Sequence, residues 1–326
     1  TADLKGRATH FALSDKITLH DVGVSEKFML HAYGRRLNKI LCEIRPDICV
    51  SVGGRDIFCL PSCTDGSIKV SEFHFSHDKY AVKYGGSFFG NIYARFRMRR
   101  IEKVAAKLDK FIVLTKSDKK DWEPFVPNVT SIYNPLTFKS EEVAALDNEK
   151  CIAIGRLESQ KNFRDLVAAW KYVAEEYPDW VLEIYGNGSL KKSLQKQITS
   201  LGLDLQVRLM GSSSDIRSKM LDSSCLVMSS AYEGFPMVLL EAVETGLPMV
   251  SYDCPKGPAE IIIDGKSGYL VKPGDVEGLA RRVCDVISDA GRRKEFGAMA
   301  KKTAAQYSID RIMEQWKTLF EGLMAK

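Results

Sequence analysis

The sequence predicts an α/β protein built from two doubly wound units with parallel sheets, on three observations. Short apolar runs alternate with amphipathic stretches, Gly-bearing turns join them, and a polar stretch divides the chain near its middle. At 326 residues the chain is roughly two domains long. That length supports two cores without disulfide or metal staples.

In the first half, Ser25–Glu43 and Asn91–Leu108 carry helical periodicity, while Ile48–Val52, Ile68–Val70 and Phe111–Leu114 read as strands. Asn134–Pro135–Leu136 opens the polar stretch that runs to Lys150, the expected linker. The N-terminal unit is accordingly 1–147 and the C-terminal unit 148–307. In the second half the expected strands are Cys151–Ile154, Trp180–Tyr185, Val207–Met210, Cys225–Ser229, Pro248–Tyr252 and Gly268–Val271. Helices are expected near Phe163–Glu176, Leu190–Ser200, Pro236–Glu244 and Val276–Asp289. The tail, 308–326, is an amphipathic helix with Ile312, Trp316, Phe320 and Leu323 along one side.

Composition narrows the class. With 45% hydrophobic and 27% charged residues the chain is an ordinary globular protein. A formal charge of +5 is mild; it suits an anionic substrate or membrane surface and does not require nucleic acid. No apolar run reaches the roughly 18 residues of a membrane span. Eight cysteines without CxxC or Cys/His spacing read as free thiols of a reducing, cytoplasmic compartment. There is no Asp-x-Asp pair, P-loop, HExxH or nucleophile elbow.

Several loops at strand ends carry candidate chemistry. Gly155–Arg156–Leu157, with Lys161 close behind, leaves the strand Cys151–Ile154; two fixed cations there suit a diphosphate, and a solvated basic loop is the competing reading. Tyr232–Glu233–Gly234–Phe235–Pro236 follows another strand and runs into Met237, Val238 and Glu241, delivering a helix amino end to the ligand edge of the sheet. Glu233 as a turn cap and Glu241 as a surface charge are the bland alternatives. Gly186–Asn187–Gly188 lacks the third glycine of a dinucleotide fingerprint and reads as a turn. Asp253–Glu260 follows a further strand, and His74 and His77 lie in one loop of the first half. The tract Arg95–Phe96–Arg97–Met98–Arg99–Arg100 suits anionic lipid headgroups or a solvated helix face.

Five segments in order resemble the family-4 retaining glycosyltransferases: Tyr133–Phe138, Cys151–Phe163, Glu183–Leu190, Val207–Gly211 and Val227–Val271. The resemblance implies the GT-B fold, two Rossmann-like domains with parallel sheets facing across a cleft. Relatives open with a strand, a glycine-rich loop and a helix that this sequence does not show, so the N-terminal domain is expected to be incomplete. By position, Arg156 and Lys161 resemble the pair that binds the donor diphosphate, and Glu241 the ribose ligand. Glu233, with the backbone of Gly234, Phe235, Pro236, Met237 and Val238, corresponds to the donor-sugar site; Met210 and Gly211 fall where the family frames the base. His74 resembles the N-terminal histidine near sugar and acceptor, with His77 its rival. The tail helix is expected to pack back on the N-terminal domain.

The resemblance thus implies metal-independent, retaining transfer of a hexose or N-acetylhexosamine. The donor is a nucleotide diphosphate sugar, read as a UDP-sugar, and the acceptor a glycan or polyprenyl-linked carrier in bacterial cell-surface polysaccharide synthesis. The enzyme would use no cofactor and work in the cytoplasm at the inner face of the membrane. A sugar-nucleotide 2-epimerase type of enzyme, or a binding protein that keeps only nucleotide affinity, are the alternative readings.

Overall fold

The computed structural model describes residues 14–24 and 29–325. It divides into two compact units: the residues up to Ile132 together with those from Trp316, and Tyr133–Gln315. The division falls earlier than 147/148 because residues 133–147 find their backbone partners in the C-terminal unit. The amide of Leu136 donates to Tyr307 O (2.8 Å), that of Ser140 to Glu244 Oε1 (2.6 Å) and that of Ala144 to Thr245 O (2.8 Å).

The N-terminal unit contains α1 (Leu30–Ile44), β1 (Ile48–Ser51), β2 (Ile68–Phe73), α2 (Lys79–Tyr84), α3 (Phe88–Ala105), β3 (Lys110–Val113), α4 (Lys116–Trp122) and β4 (Val129–Ser131). The expected first helix begins at Leu30; its stretch Ser25–Phe28 lies outside the described residues. The four strands are parallel, in the order β1-β2-β3-β4. Their core gathers Phe73, Phe111, Trp122 and Val113 against Met98, Ile101 and Ala105 of α3. Ser87 caps α3 by accepting the Gly90 amide, and Thr115 caps α4 by accepting that of Asp118.

The C-terminal unit alternates more strictly. It runs β5 (Lys150–Ile154), α5 (Phe163–Glu176), β6 (Val181–Tyr185), α6 (Lys191–Ser200), β7 (Val207–Gly211), α7 (Ile216–Leu221), β8 (Cys225–Met228) and α8 (Met237–Thr245). Then follow β9 (Met249–Tyr252), α9 (Pro258–Ile261), β10 (Gly268–Val271), α10 (Val276–Ile287), α11 (Ala290–Thr303) and α12 (Ile309–Met324). The division into units cuts α12, giving its residues from Trp316 to the N-terminal unit.

All six strands are parallel, in the order β7-β6-β5-β8-β9-β10. Counted from β5 as first strand, this is the 3-2-1-4-5-6 order of doubly wound nucleotide-binding sheets. Strands β5, β6, β8 and β9 are buried almost throughout, as a sheet covered on both faces requires. Trp170 and Val173 of α5 meet Leu279, Val283 and Val286 of α10 in the core on one face. The strand order reverses between β5 and β8, and ligands of such sheets bind where it does, beyond the carboxyl ends.

Candidate active site

The loops that leave β5 and β8 run side by side at this reversal. The Ala231 amide donates to Gln160 O (2.8 Å), and the Ser229 hydroxyl to Lys161 O (3.0 Å). The Gln160 amide group donates to Tyr232 O (3.1 Å), while its Oε1 lies 3.5 Å from Arg156 Nη2. Across this seam Lys161 Nζ meets Glu233 Oε1 at 2.7 Å, with side chains only 17% and 8% exposed. At that burial the pair is a charge-assisted hydrogen bond. Removing either partner strands the other in a poor solvent for charge.

The segment after β9 buttresses the Glu233 loop from behind. The Glu233 amide reaches Pro255 O (3.4 Å). Gly257 has φ +106°, and a Cβ there would lie 2.3 Å from Cδ of Pro236. Phe235 is buried against Tyr133 (ring centroids 5.2 Å, stacked) and Tyr307 (5.9 Å). The Tyr133 hydroxyl donates to Glu260 Oε2 (2.7 Å); burial and that carboxylate push its phenol far up. Phe235 and Val238 are thus core side chains, and only their backbone is available to a ligand.

Helix α8 starts from this braced loop. Pro236 is the N-cap, one position before the first helical residue expected of it. The Leu239 amide already donates to Pro236 O (3.0 Å), which leaves the amides of Met237 and Val238 at the positive end of the helix dipole. Glu241, one turn in, is half-buried and accepts only a long bond from Thr137 Oγ1 (3.4 Å). Burial raises its carboxyl above the ordinary value, and the Thr137 bond acts the other way. Glu244 has a different fate: it is buried and held by the Ser140 amide (2.6 Å) and Lys301 Nζ (2.8 Å).

Beyond the ends of β5, β6 and β7 lies a depression of about 400 Å³, walled by Gly155, Arg156, Asn187, Ser212 and Ile216. Gly186 lets two backbones approach here, since a Cβ on it would sit 1.9 Å from Gly155 O. The Gly186–Asn187–Gly188 segment is therefore the packing turn its residues suggested; the Leu157 amide donates to Asn187 O (3.0 Å). Met210 and Gly211 end β7 beside this region, Met210 with an exposed side chain.

The histidines belong to the N-terminal unit, at the carboxyl end of β2. His74 Nε2 lies 3.3 Å from Glu72 Oε2 and keeps a partly exposed ring. His77 is built in: its Nε2 is 3.0 Å from Glu102 Oε1, and its ring packs on Trp122 and Phe125. Arg95 and Arg99 project from α3 into solvent, Arg100 is exposed with its guanidinium over the Phe58 ring (5.3 Å), and Arg97 turns to the Tyr80 hydroxyl (3.2 Å).

The structure brings Lys161 and Glu233 together on the loop that leads into α8, with Arg156 tied to the same seam through Gln160, from loops that the residues alone left as separate candidates. Gln160 and Thr137 were not among those candidates, and Asn187 entered only as part of a turn; only the position of Gln160 beside Lys161 signalled it. A doubly wound sheet that gathers cations, a carboxylate and a helix amino end at its reversal point defines a nucleotide-type ligand site.

The sequence pattern of the family described as "Glycosyl transferases group 1" matches residues 137–303, and this chain belongs to that family. It is similar to an uncharacterized glycosyltransferase of Haemophilus influenzae (25% identity, covering 96% of this chain and 88% of the relative). It is also similar to the amylovoran biosynthesis glycosyltransferase AmsD of Erwinia amylovora (33% identity, 65% of this chain and 62% of AmsD). Among solved structures it resembles TarM (TM-score 0.77, 24% identity, 88% of this chain and 58% of TarM). The Anabaena HepE complex with UDP-glucose gives a TM-score of 0.76 at 18% identity, over 89% of this chain and 82% of HepE. The chain is a glycosyltransferase with the two parallel-sheet units of the GT-B fold.

Proposed function

We propose that this chain transfers a hexose or N-acetylhexosamine from a UDP-sugar to a glycan or polyprenyl-linked acceptor, with retention of anomeric configuration and without a metal ion. The process served is cell-surface polysaccharide synthesis, at the inner face of the membrane. The observation that carries this reading is the Lys161–Glu233 pair on the loop that leads into α8, with Arg156 tied to it through Gln160. AmsD is named for amylovoran synthesis and the HepE structure holds UDP-glucose; both names support the donor and the process.

The diphosphate lies against Arg156, Lys161 and the first amides of α8, which meet the charge that builds as the sugar–phosphate bond breaks. The nucleoside extends toward the depression beyond β5–β7, framed by Met210 and Gly211, and Glu241 accepts from the ribose hydroxyls. Glu233 accepts from the sugar's hydroxyls, its carboxylate held by Lys161. The phosphate charge is met here by the cations and the backbone amides rather than by a metal ion. Front-face attack by the acceptor hydroxyl then accounts for retention.

A thermal-shift panel of UDP-, GDP- and ADP-sugars, followed by NMR of the product formed with the best donor, tests the reading. UDP-sugars should stabilise the chain and the new linkage should keep the donor's anomeric configuration. An inverted product, or turnover of the donor that needs no acceptor, overturns it.

A further inference from the structure

The outer face of α2 and α3 carries a run of exposed apolar side chains. Phe88 and Phe89, at the start of α3, are 75% and 81% exposed, and Ile92, Tyr93 and Phe96 continue the exposed apolar surface along the next turns. Scattered exposed apolar residues need no explanation, whereas a contiguous group marks an interaction surface. Phe88 to Phe96 spans about 12 Å of helix at the usual rise. Beyond it the same outer face turns basic, with Arg95, Arg99, Arg100 and Lys103 exposed. The inner face, Ala94, Met98, Ile101 and Ala105, is buried in the core.

The hairpin that carries this face is braced. Tyr84 stacks on Tyr80 (6.1 Å) and packs edge-on to Tyr93 (5.1 Å), and Arg97 donates to the Tyr80 hydroxyl (3.2 Å). The charge is one-sided. Helix α2 adds Lys79 and Lys83 with no acid, and the one acid of α3, Glu102, is buried against His77. Burial, with Lys83 and Arg97 nearby, pushes the Lys79 ammonium down to about 8, as expected where cations crowd.

We infer that the α2–α3 face docks this glycosyltransferase on an anionic bilayer, with Phe88, Phe89, Ile92 and Phe96 in the interfacial layer and Arg95, Arg99 and Arg100 at the lipid phosphates. Apolar and aromatic side chains beside a stretch in which cations outnumber the single flanking acid, Asp78, are what the boundary between acyl chains and headgroups accommodates. A second copy of the chain is a poorer occupant, because a two-fold contact sets the same basic surface against itself. A nucleic-acid backbone would answer the arginines and leave the phenylalanines without a role. The inference concerns the N-terminal unit and does not rest on the donor-site assignment.

The test is sedimentation of the full chain with vesicles of phosphatidylcholine alone and of phosphatidylcholine with phosphatidylglycerol, alongside two double variants, Arg99→Glu/Arg100→Glu and Phe88→Ser/Phe89→Ser. All four positions are exposed, so unchanged melting temperatures establish that the variants fold. The parent should bind the anionic vesicles and release in high salt. The charge reversal should weaken binding by about tenfold or more, and the serine pair should remove the part that resists salt. A tryptophan placed by Phe89→Trp should shift to the blue on anionic vesicles. Equal binding to both vesicle types, no binding to either, or variants that bind like the parent would each overturn the inference. So would an oligomer, seen without lipid, that Phe88→Ser/Phe89→Ser dissociates; the face would then join copies of the chain.

Discussion

The ammonium of Lys161 sits 2.7 Å from Oε1 of Glu233, joining the loop after β5 to the loop after β8. The pair holds together two segments 72 residues apart in sequence at the point where the sheet order reverses. It therefore belongs to the architecture of the site as well as to its proposed chemistry, and variants can separate the two roles.

Lys161→Ala removes a diphosphate ligand and leaves the Glu233 carboxylate buried without its cation. Turnover should fall by roughly 2–4 kcal/mol of barrier, and the melting temperature should fall with it. Adding Glu233→Gln should restore much of the stability, because a neutral amide tolerates burial better, and none of the rate. Calorimetry and steady-state kinetics on the two variants check this; a double variant as unstable as Lys161→Ala alone would argue against the paired-charge account.

Glu233→Gln by itself separates the sugar from the nucleotide. Its proposed partner is the donor sugar, so affinity for free UDP should stay close to that of the parent while transfer drops sharply. Titration calorimetry with UDP, set beside product formation, distinguishes the two. A loss of UDP affinity as large as that of Lys161→Ala would move Glu233 from the sugar to the diphosphate.

Glu241→Gln should weaken UDP binding by about tenfold or more, the range for a hydrogen bond to a charged acceptor. Its effect on stability has the opposite sign. Burial raises the folded-state carboxyl above its ordinary 4.5, so the ionised form opposes folding at neutral pH. That cost is relieved as pH falls through the raised folded value toward the unfolded one. The ligand-free variant should thus melt higher than the parent at neutral pH, with the difference vanishing in acid. UDP affinity of the parent should decline more steeply over the same acidic range than that of the variant, which keeps only the titration of the ligand's own phosphate. A variant that melts lower at neutral pH contradicts this account.

Gly257→Ala places a methyl group 2.3 Å from Pro236 Cδ, at a backbone φ of +106° that side chains rarely adopt. The strain is of the order of 1–3 kcal/mol, and relief would displace the N-cap of α8 and its amides. Lower stability together with weaker UDP binding is expected. Unchanged UDP affinity would show that the α8 amino end does not contact the nucleotide.

Chelation addresses the phosphate charge directly. If Arg156, Lys161 and the α8 amides answer it, donor binding and turnover should be the same with and without EDTA. Loss of binding on chelation, restored by Mg²⁺ or Mn²⁺, would assign that charge to a metal.

Local patterning alone was enough for the six strands and the longer helices α5, α6, α8 and α10 of the C-terminal unit, but not for α7, α9 or α11. Helix α5 begins and ends at the residues its periodicity indicates, and strands β5 to β10 fall within a residue or so of their apolar runs. Such periodicity is written in neighbouring residues, and Pro236 and Gly246 (φ +65°) bracket α8 for equally local reasons. Helix α11 escaped, since it is rich in Arg and Lys and buries only Arg293, Phe296, Gly297 and Ala300. Strand β4, three residues long, is too short to show alternation. The sequence could name Lys161, Glu233 and Glu241 as candidates by position, but it could not weigh them against Glu244, three residues on, or His74 against His77. Those distinctions came from packing. Lys301 and the Ser140 amide occupy Glu244, and Glu102, Trp122 and Phe125 enclose His77, whereas Glu241 and His74 keep carboxylate and ring partly open to a ligand. Only long-range parallel pairing, which sets β5 beside β8, decides which loops meet, because the free energy of that pairing lies in burying both sheet faces rather than in any local run of residues.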